Sequence, residues 1–168
     1  MSANKASGDK PSGRAKPQSR AKTVALNRKA RYNYEILRTL EAGLVLTGTE
    51  IKSIRAGNVN FADAYALPKD GELWLQNAHI AAYAAADRGN HEPTRPRKLL
   101  LHRSQIRDLS REVSAKGLTL VPLRMYLSHG LAKVELGLAR GKRLHDKRQT
   151  LIERERKREA EQAIKRRY

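Results

Sequence analysis

Side chains able to make and break bonds are few in this sequence, and their spacing does not suit catalysis. There are five histidines, His79, His91, His102, His129 and His145, and no cysteine. No two histidines stand four apart, the spacing that would put both imidazoles on one helical face. Without thiolates no Cys–His zinc site, iron–sulfur cluster or thiol nucleophile can be built. Gly137-Leu138-Ala139-Arg140-Gly141-Lys142-Arg143 partly matches a phosphate loop. It is one residue short between its glycines, and Arg143 stands where Ser or Thr would hold magnesium. Asp70 and Glu72 lie close together, but they flank Gly71 in a turn signal, where carboxylates are solvated. No catalytic residue, no metal and no cofactor is expected.

The chemistry this sequence does offer is that of holding phosphates and stacking on rings. Asn27-Arg28-Lys29-Ala30-Arg31-Tyr32-Asn33-Tyr34 sets polar and cationic donors beside two aromatic rings. Cations can hold phosphates while a ring stacks on an unpaired base. Ordinary strand packing is the competing role for Tyr32 and Tyr34. Thr94-Arg95-Pro96-Arg97-Lys98 is a second cationic segment, kept extended by Pro93 and Pro96. The bare backbone around Gly141, with Arg140, Lys142 and Arg143, could also approach a phosphodiester closely.

Net charge points the same way. The 168 residues hold 35 Lys and Arg against 17 Asp and Glu, a formal +18. Residues 1–31 contribute +8 and residues 140–168 contribute +7, so a nearly neutral body carries two cationic arms. Such arms repel one another unless a polyanion neutralises them, and phosphate contacts would make binding steeply salt-dependent. Solubilising tails or an anionic membrane surface are the other readings, but neither arm has the bulky apolar face that would anchor it in lipid. No stretch approaches the ~20 apolar residues of a membrane helix, and no apolar segment follows the basic N-terminus. A soluble, cytoplasmic protein that engages no membrane is expected.

The elements that must carry these residues read as mainly β with short helices. Residues 1–23 are expected to be a disordered basic extension, residues 24–139 the folded body and residues 140–168 a basic tail. Tyr34 to Leu46 reads as two strands or one bent strand, with Glu41-Ala42-Gly43 as a turn. Thr47 and Glu50 have capping-box spacing before a short helix that Gly57 stops. Asp70-Gly71 joins a hairpin of Phe61–Leu67 and Leu73–Ile80. Leu99 to Leu101 is a short apolar run. Ser104 opens a helix with Ile106, Leu109 and Val113 on one face. Leu118–Leu127 and Leu131–Leu138 form a second hairpin around Ser128-His129-Gly130, with Ala132, Val134, Leu136 and Leu138 facing in and Lys133 and Glu135 facing out. One core is all that these apolar residues can fill. A small antiparallel barrel of the oligonucleotide-binding (OB-fold) type fits the strand count, and a split sheet with helices on one face fits it too. From Asp146 onward, helix formers dominate without enough bulky apolar residues to bury a face, and Asp146 with Gln149 resembles a cap. That segment is expected to be a helix ordered by a polyanionic surface.

Taken in order, several motifs resemble the SsrA-binding protein family. They are Leu26 to Arg31, Leu40-Glu41-Ala42-Gly43, Leu46 to Gly57 (LTGTEIKSIRAG), Arg97 to Leu101, Gly137 to Lys142, and His145-Asp146-Lys147-Arg148. The resemblance runs from about Val24 to the mid-150s. It implies an OB-type barrel that binds the tRNA-like part of transfer-messenger RNA and takes it, as a monomer, to stalled ribosomes. There trans-translation tags the nascent chain for proteolysis and frees the ribosome. It implies that Asn27, Glu41 and Leu100 help hold the RNA, beside the cationic and aromatic Arg28, Lys29, Arg31, Tyr32, Tyr34, Arg97 and Lys98. It also implies that the tail, with Arg140, Gly141, Lys142, Arg143, His145, Asp146, Lys147 and Arg148, enters the decoding centre. There it stands in for codon–anticodon pairing, while the distal part becomes helical in the message channel of the small subunit. Family members often carry His after the Arg31 position, where this chain has Tyr32. The bottom-up alternatives are a structural ribosomal protein and a nucleic-acid-processing enzyme.

Overall fold

Strand-forming, alternating segments account for most of the architecture. A computed structural model describes residues 21–86 and 89–165. In chain order these form β1 (Lys22–Leu26), α1 (Ala30–Asn33), β2 (Tyr34–Leu44), α2 (Gly48–Arg55), β3 (Val59–Asn60), β4 (Tyr65–Lys69) and β5 (Glu72–Gln76). There follow β6 (His79–Ile80), β7 (Arg97–Leu100), α3 (Arg103–Lys116), β8 (Thr119–Ser128), β9 (Leu131–Gly141) and α4 (Leu144–Lys165).

Every pairing is antiparallel. The strands follow one another as β8-β4-β5-β7-β2-β9 and back to β8, with β1 added along the remaining length of β8. Ala66 opposite Leu120 closes the ring. Closure leaves no long edge to recruit other chains, and the barrel expectation holds. Both hairpins turn through two left-handed residues, Asp70 (φ 53°) with Gly71 (φ 73°) and His129 (φ 51°) with Gly130 (φ 77°). Such pairs match the right-handed twist of the flanking strands.

The alternation read in β9 is realised. Val134, Leu136 and Leu138 are at most 1% exposed and meet Leu73, Leu75, Leu99, Leu120 and Met125 in the interior. Each fully buried aliphatic side chain contributes roughly 1.5–3 kcal/mol relative to exposure. Ile54 of α2 and Leu109 of α3 also enter this core. A small second cluster lies outside the barrel wall, where Ala30 of α1 covers Val121, Leu123 and Ala139, flanked by Tyr34 and Ile36. Gly137 makes that packing feasible: a Cβ there would sit 3.2 Å from both Ile36 and Leu123 side-chain carbons.

Several local expectations are corrected. Glu41-Ala42-Gly43 is not a turn. β2 runs straight through it, because Ala42 is buried and strands pair on both sides; the bend is a bulge between Ile36 and Arg38. The run Phe61–Leu67 is broken after β3, which pairs with β6 outside the ring, and Phe61 fills the core from the connection. Helix α3 starts at Arg103, with the Gln105 side chain accepting the His102 N–H at 3.1 Å. Two boundaries fall inside strands: β1 begins at Lys22, and Arg140 and Gly141 end β9 opposite Glu35 and Tyr34. Residues 1–20 of the expected extension lie outside the described residues.

Candidate nucleic-acid interface

Of the cationic residues singled out in the sequence, Arg97 is the one the fold removes from any surface. Its side chain is fully buried. Its Nε donates to Glu50 Oε1 at 2.8 Å, and its terminal nitrogens donate to the carbonyls of Ala78, Arg95 and Pro93 at 2.6, 3.1 and 2.9 Å. Arg97 ties the segment of Pro93 and Arg95 to α2 and cannot touch RNA. Glu50, also sealed, accepts from Arg95 as well and from the Thr47 N–H, completing the capping box at the start of α2. Burial alone would raise the Glu50 pKa. The bonds from Arg95, Thr47 and Arg97 outweigh it and bring the carboxyl down to about 2.

Asn27 is an organiser of the loop that follows it. Its Nδ2 donates to the carbonyls of Phe61 and Pro122, and its Oδ1 accepts the Ala30 N–H at 3.1 Å. Those bonds fix the turn from β1 into α1, leaving Arg28, Lys29 and Arg31 exposed beside the half-buried Tyr32. Tyr34 packs against the outer cluster, so strand packing claims that ring.

Glu41 lies further along β2, about seven strand residues and roughly 20 Å from Tyr34. Its carboxylate accepts from the Tyr126 hydroxyl and, at 2.5 Å, from Lys133 Nζ. Arg124 sits 5.0 Å over the Tyr126 ring and pairs with Glu135. This outer face of β2, β9 and β8 continues across Gly43 to Leu100, which is 51% exposed, and to Lys98, paired with Glu72. An exposed leucine at the centre of a charged face can meet a sugar or a base edge, while Glu41 and its partners present both acceptors and donors. Tyr126, Arg124 and Lys133 were not singled out as site residues. The outward phase of Lys133 in β9 was the one signal available for them, because Tyr126 and Lys133 meet Glu41 across 85 and 92 residues.

The segment expected to enter the decoding centre begins inside the barrel. Arg140 and Gly141 close β9, and Lys142 extends from Tyr34's end of β2, its N–H bonded to the Asn33 carbonyl. Lys142 Nζ donates to the Arg31 carbonyl at 3.1 Å and to Thr150 Oγ1 at 3.0 Å. The cap of α4 also differs from expectation, because Asp146 accepts the Arg143 N–H at 3.3 Å from the helix's first turn. A carboxylate there also suits the helix dipole. His145 falls in that turn, and Lys147 and Arg148 follow on the helix, with Arg148 exposed. The structure thus brings the Arg28–Tyr32 loop and the base of the tail together, and places Glu41 and Leu100 at the other end of β2.

Comparison with known proteins identifies the family of the chain. The family model described as SmpB protein matches residues 24–166. The chain belongs to the SmpB family. The SsrA-binding protein of Trichormus variabilis is 58% identical over 145 residues, covering 86% of this chain and 94% of that protein. The SsrA-binding protein of Shouchella clausii is 57% identical over 146 residues, covering 87% and 94%. A solved structure described as "tmRNA-SmpB: a journey to the center of the bacterial ribosome" contains a similar chain. It is 51% identical, with a TM-score of 0.61, covering 75% of this chain and 87% of that one. The residues matched by the family model include all of β2 to β9. Among the described residues no His, Asp and Glu group could hold a metal ion, and no helix is long and apolar enough to cross a membrane.

Proposed function

We propose that this chain binds the tRNA-like part of transfer-messenger RNA and delivers it to stalled ribosomes, acting as an RNA-binding factor without a chemical step of its own. The observation that carries this reading is identity of 57–58% over 94% of the length of SsrA-binding proteins. In this reading the barrel, residues 24–139 with the last residues of β9, is the RNA-binding body. Glu41 and Leu100 meet the RNA on the outer face, with Lys98 beside them. Arg28, Lys29, Arg31 and Tyr32 hold phosphates and a base, while Asn27 and Tyr34 position that loop. The tail from Arg140 through Arg143, His145, Asp146, Lys147 and Arg148 enters the decoding centre, where it replaces the missing codon–anticodon pairing, and α4 follows the empty message channel. The nascent chain is then tagged for degradation.

The test is to capture RNA on the tagged full chain in its own cells and sequence it, beside a variant with Asp146, Lys147 and Arg148 all changed to alanine. Strong enrichment of one tRNA-like stable RNA by both proteins is expected, with tagging lost in the variant. Uniform recovery of ribosomal RNA would instead make the chain a structural ribosomal component. Equal loss of RNA capture and tagging would refute the division between barrel and tail.

A further inference from the structure

Body and tail do not merely sit at the same end of the barrel; together they enclose a groove. Its volume is about 470 Å³, within the range of small-molecule sites. One wall is Leu26, 59% exposed at the end of β1, with Tyr32 of α1; the other is Leu151 of α4, 41% exposed. Four cations, Arg28, Arg31, Arg154 and Lys157, surround this apolar slot, with Glu153 as the one acid among the lining residues. The walls are joined below by Lys142, which bonds the Arg31 carbonyl on the body and the Thr150 hydroxyl on the tail. The groove therefore depends on both partners and on the angle at which α4 leaves the barrel.

We propose that this groove takes one unpaired nucleobase of an RNA strand, stacked between Tyr32 and Leu151, with the flanking phosphates on the four cations. An apolar slot inside a cationic ring matches a nucleotide, whose flat face is apolar and whose ends are anionic. A paired base inside a duplex is already stacked on both faces and cannot enter, so the ligand is single-stranded. A lipid surface fits less well, since beyond its first residue α4 has only Leu151, Ile152 and Ile164 as large apolar residues. The proposal rests on the RNA-binding reading and adds that body and tail share a single nucleotide. Loading of the base would then hold α4 in the direction it takes here.

The test uses the full chain and two labelled probes, a six-nucleotide oligoadenylate and an abasic ribose-phosphate strand of equal length, with binding followed by anisotropy across a salt series. The oligoadenylate should bind about tenfold tighter than the abasic strand, the scale of one stacked base. Leu151→Ser should remove most of that preference while leaving the salt slope unchanged. Lys157→Gln should reduce the slope by about 0.7 and keep the preference. Leu151 projects from an exposed helix, so the barrel's melting temperature should not move; Leu26→Ser checks the opposite wall. Equal binding of both probes, or a preference that survives both serine variants, overturns the proposal. Capture of the tRNA-like RNA is scored separately: its failure alone removes the functional reading and leaves the groove's preference standing as measured.

Discussion

Glu50 and Glu41 invite comparison because each carboxylate accepts from two side chains, yet their surroundings are opposite. Glu50 is fully buried and holds Arg95 and Arg97; Glu41 sits on an open face, its side chain half exposed, and holds Lys133 and Tyr126. The first network is closed, with every nitrogen of Arg97 committed to a carboxylate or a carbonyl. The second leaves solvent access to the Glu41 acceptor and to Lys133, while Tyr126 is buried behind them. Burial therefore separates a structural ion cluster from the proposed recognition surface when the residue types are nearly the same. A sealed charge must be paired because leaving it alone costs several kcal/mol. A surface pair gains ~1 kcal/mol or less, so it can be exchanged for a ligand at little loss.

That contrast can be broken in several ways. The largest effect is expected from Glu50→Gln, which strands two guanidinium groups, one of them fully buried. Unfolding stability in denaturant should fall by about 3–5 kcal/mol, and a loss below about 1 kcal/mol would deny the cluster its structural role. Acid should act on the same point. With a folded pKa of about 2 against an ordinary 4.5, Glu50 contributes stability that is complete above pH 4.5. That contribution is lost as pH falls toward 2, on the order of 3 kcal/mol. In Glu50→Gln, melts between pH 5 and 2.5 should show correspondingly less acid sensitivity.

Glu41→Gln should do the reverse. Affinity for the tRNA-like RNA should drop about tenfold, equivalent to about 1.4 kcal/mol, while stability changes by less than about 1 kcal/mol. A variant that unfolds but binds RNA normally in its folded fraction would collapse the distinction. Two smaller changes sharpen it. Thr47→Ala removes the side-chain acceptor of the α2 capping box and should cost about 1 kcal/mol of stability with RNA binding intact. Thr150→Val deletes one end of the Lys142 bridge without touching any of the four groove cations. It should weaken the oligoadenylate preference two- to threefold and leave the barrel's melting temperature unchanged.

Local chemistry was well written into the sequence. The Thr47–Glu50 box, the Asp70-Gly71 and His129-Gly130 turns and the alternation of β9 each follow from neighbours within a few positions. Arg97 could not be read in this way. Its anchor, Glu50, lies 47 residues earlier, and an arginine in a proline-flanked run looks solvated until the fold closes over it. The Glu41-Ala42-Gly43 segment misled for a related reason: its composition suits a turn, but β7 and β9 on either side hold it extended. The helical character of the tail was legible from its residue types. Its direction was not, because that is set by Lys142 meeting a carbonyl and a hydroxyl from two separate elements.

One consequence of β2 lies in leverage. This strand is hydrogen-bonded to β9 along most of its length and to β7 at its far end, so Glu41 and the root of the tail cannot shift independently. From that root, 22 helical residues extend about 33 Å. An angular error of about 10° at the base would swing the far end by roughly 6 Å, more than one helical turn. The barrel wall thus works as the stock of a set square. Whatever grips the Glu41 end fixes, through a stiff strand, the bearing on which a long thin arm is aimed.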